Sequence, residues 1–545
     1  MIWPMPRDLK ADQAMLREVL SLAQNRDFQR AGMIANEALA GGFEHPLLLN
    51  VAATCLELQG KFGDALRLLE RAVELAPQDV GARNALALCL QRLERPAEAL
   101  HHVDELLRQH PGLGFAHANK GNALIALGHL GRARISHVRA LELEPGNIAA
   151  LSSLASIASH RGNHDEARSW AQQVLAVVPN FPDAVISLAS AELASGALAR
   201  SEELIRQLLA DGRVAAIDQA RANGLLGDVF DAGGRYSEAL AAYSACNEAL
   251  RRIHSRFASG TSLTAYTRQL ITKAVGASRT AQPQTVQRGA DVSEHVFLLG
   301  FPRSGTTLLE VVLDGHPRVA SLDEHELLIE GVQRFMGEPR ELGALARASE
   351  DELRPLRKAY WDRVREGDVD VSGKIFVDKY PMNTLKLPLI ARLFPNAKIL
   401  FACRDPREVV FACFRRRFKI NAATYELLTL PGGAALYDGV MDFAAVMRPA
   451  FGSRWHVVRY ESLVADFSRQ MRGICEFLGL EWIEGMDDFA GRARERERST
   501  PSTAQLARGL DRPGTVHWKH YSAALEPILP TLEKWVQRFE YTPTR

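Results

Sequence analysis

Cysteine is scarce and scattered. Six residues, Cys55, Cys89, Cys246, Cys403, Cys413 and Cys475, fall in 545 positions, and no two stand at a metal-ligand spacing. They read as small core hydrophobes in a reducing cytoplasm, and metal catalysis finds no support. Charge of one sign is lacking too: the net charge is +1, which argues against a nucleic-acid partner held by phosphate neutralisation. No apolar run approaches membrane-spanning length, and the opening MIWPMPRDLKADQ lacks the basic-then-apolar order of a signal peptide. The expectation is a cytoplasmic protein with neither a membrane nor a nucleic acid as partner. What is present, 47% hydrophobic and 24% charged residues, is the make-up of a soluble globular chain. Its length exceeds one ordinary core and predicts two or more domains.

The first half repeats. Alanines recur every 34 residues at Ala31, Ala65, Ala99, Ala133 and Ala167, and prolines at Pro77, Pro111, Pro145 and Pro179. Gly60, Gly128, Gly162 and Gly196 keep the same period, with Glu94 filling the one gap. The alanine lets two helices approach, the glycine turns the chain between them, and the proline ends the second. This pattern resembles the tetratricopeptide repeat. It predicts an all-α solenoid over 1–275, with an irregular hairpin at 220–250 as its cap. Such an array offers a concave face for a peptide or protein segment, or serves as a packing scaffold or homodimer surface. The stretch 277–293 loses the periodicity and collects Ser, Thr, Gln, Gly and Pro, so a linker is expected over 276–293.

From 294 to 545 short apolar runs alternate with amphipathic segments, the signature of an α/β domain with a parallel sheet. Strands are expected at 297–299, 375–377, 398–403 and 456–460. Ligands of such sheets collect at the carboxyl ends of the strands, which singles out Arg303 to Thr307, Asp378 and Lys379, Arg404 to Arg407, and Tyr460 with Glu461. The first of these, FLLGFPRSGTTLLEVVLDGHP, is a strand, a small-residue loop and a helix start, the local design that cradles phosphate on backbone N–H groups. The lysine of an ATP-binding loop, due directly after Gly305, is missing. Thr306 stands there, and the fixed positive charge has moved inside the loop as Arg303. A kinase is disfavoured on that ground.

The ordered motifs resemble sulfotransferases that use 3′-phosphoadenosine-5′-phosphosulfate. GFPRSGTTLLEVVLDGHP looks like the 5′-phosphosulfate loop of that family, and 399-ILFACRDPREVVFACF-414 like its 3′-phosphate motif. The stretch 378-DKYPMNTLKLPLIARLFPNAKIL-400 and the ending 459-RYESLVADF-467 with 475-CEFLGLEW-482 match in order. With the repeats in front, the chain is similar to bacterial tetratricopeptide-sulfotransferases, which stand near the tyrosylprotein sulfotransferases.

The resemblance implies a P-loop-like fold and a metal-free reaction. Arg303, Ser304, Gly305, Thr306 and Thr307 would hold the phosphosulfate, Arg404 the 3′-phosphate, and Ser502 would stand near the phosphosulfate. Glu324, seven residues after the His316-Pro317 pair is complete, would be the general base, with His325 the competing candidate. Lys379 and Arg303 would stabilise charge on the transferring group. One position departs from the pattern: eight residues after Arg404, where the family usually has a serine, stands Ala412. The run 415-RRRFK-419 reads as a solvated face, or as a patch for an acidic acceptor peptide.

The implied function is transfer of sulfuryl to a hydroxyl, foremost a protein or peptide tyrosine that the repeats recruit. A carbohydrate, lipid or small phenol is the alternative acceptor. The reading from another class is an interaction protein whose degenerate domain only binds nucleotide.

Overall fold

The computed structural model describes residues 9–277, 291–338, 341–367, 369–495, 506 and 513–542. The first half is a series of helix hairpins: α1 (Leu9–Gln24) with α2 (Phe28–Ala40), α3 (Pro46–Leu58) with α4 (Phe62–Leu75), and α5 (Val80–Arg92) with α6 (Pro96–Gln109). They continue as α7 (Gly114–Ala126) with α8 (Leu130–Leu143), α9 (Ile148–His160) with α10 (His164–Val177), α11 (Pro182–Ala194) with α12 (Leu198–Ala210), and α13 (Ala216–Ala232) with α14 (Tyr236–Ile253).

The periodic residues do what their chemistry predicts. Ala31, Ala65, Ala99, Ala133 and Ala167 are all fully buried, which is how the paired helices come close. Pro77, Pro111, Pro145 and Pro179 each fall two residues beyond the end of a second helix. Every turn inside a hairpin carries one residue in the left-handed region: Gly60 at φ 76°, Glu94 at φ 58°, then Gly128, Gly162, Gly196 and Gly234. The amide after it reaches back to the helix, as Lys61 N–H does to Leu56 O at 2.9 Å and Arg95 N–H to Leu90 O at 2.9 Å. That is the Schellman closure, and it demands positive φ. Arg26, at φ 61°, makes the same turn one period before Gly60, so the repeat begins a unit earlier than its glycines reveal.

Compactness divides the chain into units 1–187 and 188–545, although the periodicity runs on past the cut. The reason is visible in the second unit, where the last helices pack on the α/β domain. Asp231 of α13 lies 2.9 Å from Arg415, and Asp228 lies 2.6 Å from Arg417. Asn247 of α14 donates to Phe414 O at 2.8 Å. The hairpin expected to cap the array, the last of the series, also seats the α/β domain. Helix α15 (Leu263–Ala277) joins the same unit, with the Tyr266 hydroxyl donating to Met336 O at 2.6 Å. Of the segment expected as a linker, 278–290 lie outside the described residues.

The α/β domain is built on five strands, β1 (Glu294–Gly300), β2 (Val319–Asp323), β3 (Ile375–Lys379), β4 (Lys398–Cys403) and β5 (Trp455–Arg459). All pairings are parallel, in the order β2-β3-β1-β4-β5. Val296, Leu298, Val377 and Leu400 pack with Leu309 and Val312 of α16 (Thr306–Leu313) in one core cluster. Four strands stand where the apolar runs predict them. The fifth, β2, is an addition, since VASLD carries Ser321 in its middle. Because β1 is central and the chain leaves β1 and β4 toward opposite edges, the crevice at their carboxyl ends is a topological switch point.

Candidate functional site

The loop after β1 is shaped by two glycines. A Cβ on Gly300 would meet Ala402 O of the neighbouring strand at 2.5 Å, and one on Gly305 (φ 95°) would meet the Tyr460 ring at 2.5 Å. Between them Arg303 adopts φ 72°, a conformation rare for a side-chain-bearing residue and concentrated at functional sites. Helix α16 then starts at Thr306 with Gly305 as its cap and no side chain on its first amides. Ser304 is buried, and its Oγ has no hydrogen-bond partner among the described residues. Burial, with Arg416 and Arg404 nearby, pushes the Arg303 guanidinium below its usual value. Cations crowded at a helix N-terminus fit an anion.

On the other side of β1, Lys379 ends β3 fully buried among carboxylates. Its Nζ lies 2.9 Å from Glu324 Oε1, 3.6 Å from Glu310 Oε2, and in contact with Asp323. Burial alone would depress this ammonium, but Glu310, Asp323 and Glu324 outweigh it and hold it above its ordinary value. The geometry follows from the sheet: Asp323 and Lys379 are register partners across β2 and β3. Asp378, one residue earlier on the strand, makes different contacts, accepting from the Tyr360 hydroxyl at 2.9 Å. Burial raises its carboxyl to about 7. Strand alternation separates the two neighbours, so Lys379 is paired with β2 and α16 rather than with Asp378. Glu324 takes φ 47°, and its N–H donates to Lys379 O at 2.8 Å. His325 is exposed, its Nδ1 lying 2.6 Å from the Asp323 carbonyl.

The third element is Arg404, at the end of β4. Its guanidinium lies 4.6 Å over the Tyr460 ring, 3.5 Å from Glu408, and donates weakly to Arg303 O at 3.4 Å. The helix it opens, Pro406–Phe414, is capped by Asp405, which accepts from Arg407 N–H at 3.0 Å and pairs with the Arg407 guanidinium at 2.7 Å. Ala412 is buried in that helix.

One cavity of about 500 Å³ brings these parts together: Arg303, Gly305, Thr306, Thr307, Glu324 and Arg404 all line it. Ser304 and Lys379 stand just behind it, buried next to lining residues. His325 is not among the lining residues. Ser502 lies outside the described residues. Several contributors escaped the sequence reading, two of them from before the α/β segment. Leu263 and Tyr266 of α15 line the cavity, yet sit in the segment assigned to the repeats, and only tertiary packing could have found them. The run 415–419 is neither a solvated face nor an acceptor patch at Arg415 and Arg417, because those two guanidinia are held by Asp231 and Asp228.

Comparison with known proteins agrees with this architecture. Residues 295–484 match the model of the sulfotransferase family, and residues 56–113 and 118–185 match two tetratricopeptide repeat models. The second half therefore carries a sulfotransferase-family domain, set behind tetratricopeptide repeats. Among similar proteins, an uncharacterized protein of Aquifex aeolicus (strain VF5) is 24% identical over 420 residues, covering 74% of this chain and 52% of that one. Protein-tyrosine sulfotransferase 2 of Gallus gallus is 26% identical over 204 residues, covering 35% of this chain and 52% of the relative. The chain thus spans about half the length of each. A crystal structure of a tetratricopeptide repeat protein from Parabacteroides merdae ATCC 43184 is similar at 19% identity and TM-score 0.36, covering 43% of this chain and 92% of that one. No helix among the described residues is long and apolar enough to cross a membrane.

Proposed function

We propose that this protein moves a sulfuryl group from 3′-phosphoadenosine-5′-phosphosulfate to a hydroxyl, with a tyrosine of a protein or peptide as acceptor and the repeats recruiting the acceptor chain. The observation that carries the reading is that two arginines from different loops, Arg303 before the start of α16 and Arg404 after β4, line one cavity together with Glu324, which Lys379 holds. A donor with a phosphosulfate at one end and a 3′-phosphate at the other needs both. ATP needs neither the second arginine nor a loop without its lysine.

The fit is sound in chemistry. The buried Ser304 hydroxyl and the loop amides are donors, Thr306 and Thr307 add hydroxyls, and the guanidinium of Arg404 suits a phosphate. Sulfuryl transfer is treated as an in-line displacement, by analogy with phosphoryl transfer. The acceptor O–S bond forms, the S–O bond to the 5′-phosphate breaks, and 3′,5′-adenosine bisphosphate leaves. Glu324 takes the acceptor proton. Lys379 and Arg303 stabilise the charge that grows on the leaving oxygen. Lys379 holds Glu324 at 2.9 Å, so the proposed base and cation stand within a hydrogen bond of one another.

Calorimetry tests the donor assignment. Binding of 3′,5′-adenosine bisphosphate is expected without added metal, and binding of 5′-AMP or ATP much weaker. Arg404→Ala is expected to cost about 1.5–3 kcal/mol of bisphosphate affinity, the range for a hydrogen bond to a charged group. Equal affinity for 5′-AMP and the bisphosphate would remove the role given to Arg404 and the donor with it.

A further inference from the structure

The stretch 378-DKYPMNT-384 buries three polar residues besides Lys379: Asp378, Asn383 and Thr384. None of the three lines the cavity, whereas Tyr380, Pro381, Met382 and Leu385 do. A polar side chain taken out of water costs free energy unless its hydrogen bonds are made. The bonds these residues make therefore show what they hold.

The ladder between β1 and β3 ends at the pair Leu298–Lys379. Beyond it β1 runs on to Gly300, paired with Ala402 of β4, while the chain leaves β3 for the short helical turn Pro381–Lys386. Thr384 spans that gap. Its hydroxyl accepts from Gly300 N–H at 3.2 Å and lies 2.9 Å from Gly300 O and 2.8 Å from Pro381 O, so its one proton serves either carbonyl. A single side chain thus continues the sheet by a step. It fastens the first glycine of the anion loop to the turn that follows Lys379.

The start of the turn is fastened from elsewhere. Strand alternation puts Asp378 on the face of the sheet opposite Lys379, where it accepts from the Tyr360 hydroxyl at 2.9 Å and weakly from Asn383 Nδ2 at 3.4 Å. Tyr360 belongs to the helix Glu350–Glu366, and His295 Nε2 of β1 lies 2.8 Å from its hydroxyl. The Tyr360 ring packs on His295, Trp361 and Phe394, which fixes the direction of that hydroxyl.

We propose that Asp378 and Thr384 are positioning residues that hold Lys379 and the anion loop together as one piece, from outside the cavity lining. The inference rests on the sulfotransferase reading for what the piece does. Loop amides and the lysine would act on the same transferring group, and a misplacement of about 1 Å can cost on the order of 10² in rate.

The test uses the full-length protein and two measurements. Hydrogen exchange read by mass spectrometry follows the amides of 300–307 and 379–386. Single-turnover transfer from sulfur-labelled 3′-phosphoadenosine-5′-phosphosulfate to a tyrosine peptide, with bisphosphate affinity alongside, follows the reaction. Thr384→Val keeps the side-chain volume and removes the hydroxyl. In it, exchange over 300–307 is expected to rise about tenfold, the scale of one lost hydrogen bond. Transfer is expected to fall about tenfold while bisphosphate affinity stays within about threefold, because the binding groups remain and only their placement changes. Asp378→Ala is expected to loosen 379–386 and slow transfer likewise. Asp378→Asn keeps an oxygen for the Tyr360 hydroxyl and is expected to transfer about fivefold faster than Asp378→Ala. Unchanged exchange over 300–307 in Thr384→Val overturns the link between loop and turn. Looser exchange beside an unchanged transfer rate makes the two residues structural only and overturns their positioning role. If the natural protein moves no label, the reading of the reaction fails, and the exchange measurement alone decides whether loop and turn are held as one piece.

Discussion

At the residue scale the site turns on a buried lysine that answers to three carboxylates. Lys379 is fully buried between Asp323, Glu324 and Glu310. A buried cation in such company is costly to remove, because its partners stay behind uncompensated. Lys379→Ala is therefore expected to do two separable things. Single-turnover transfer should fall by roughly 10²–10³, as for loss of a positioned charge stabiliser. Unfolding free energy should fall by about 3 kcal/mol, as for a broken buried pair. Denaturant titration beside the rate measurement separates the two; an unchanged stability would show that the carboxylates do not depend on the lysine. The sign with pH follows from the raised ammonium. Its stabilising contribution is whole below the unfolded value of about 10.4 and is lost only as pH climbs above that through the folded value, so between pH 6 and about 9 the coupling is constant.

At the scale of elements, the repeat turns offer a clean test of backbone strain. Six hairpin turns from Gly60 onward share one left-handed position, and Glu94 alone among those six is not glycine. Placing a Cβ there costs about 1–2 kcal/mol, against about 0.4–1 kcal/mol for the extra freedom glycine gives the unfolded chain. Glu94→Gly is expected to stabilise the protein by about 0.5–1 kcal/mol in urea unfolding. A loss of stability would mean that the exposed Glu94 side chain contributes more than its backbone strain takes away. The repeat was legible in the sequence because helix pairing forces the same small residue, turn residue and breaker at one spacing. The left-handed turn at Arg26 was not legible, since neither its type nor its neighbours announce positive φ. The same division holds in the α/β half. Four strands were visible as β-branched or aromatic runs, while β2 was hidden by Ser321, which interrupts its apolar run. Glu324 was singled out through the resemblance, by its place after His316-Pro317, and the fold puts it on the cavity lining, but the cage of Asp323 and Glu310 around Lys379 depends on β2 pairing with β3 and could not be read along the chain. The run at 415–417 was misjudged for a related reason: a charge run reads as solvated until its partners, here Asp228 and Asp231, are known.

At the scale of the whole molecule, the working unit is larger than the segment that carries the family motifs. The family model matches 295–484, yet the cavity takes Leu263 and Tyr266 from before that segment and Leu506 from after it. The helix that follows Arg404 is anchored at its far end by α13 and α14, and in its first turn by the carboxyl-terminal segment. Asp231 accepts from the Tyr521 hydroxyl and lies 2.9 Å from His517 Nε2, while Glu408 accepts from Trp518 N–H at 2.9 Å. The compact unit 188–545 thus contains every described residue that lines the cavity. The most direct test of the central claim is a single-turnover measurement with sulfur-labelled 3′-phosphoadenosine-5′-phosphosulfate and a tyrosine peptide, comparing the natural protein with Glu324→Gln and His325→Ala, and with bisphosphate affinity measured alongside. The account predicts label on the tyrosine oxygen, a rate about 10²–10⁴ lower in Glu324→Gln with donor affinity nearly unchanged, and little change in His325→Ala. Label appearing on no acceptor, or a crippled His325→Ala beside an active Glu324→Gln, would contradict it.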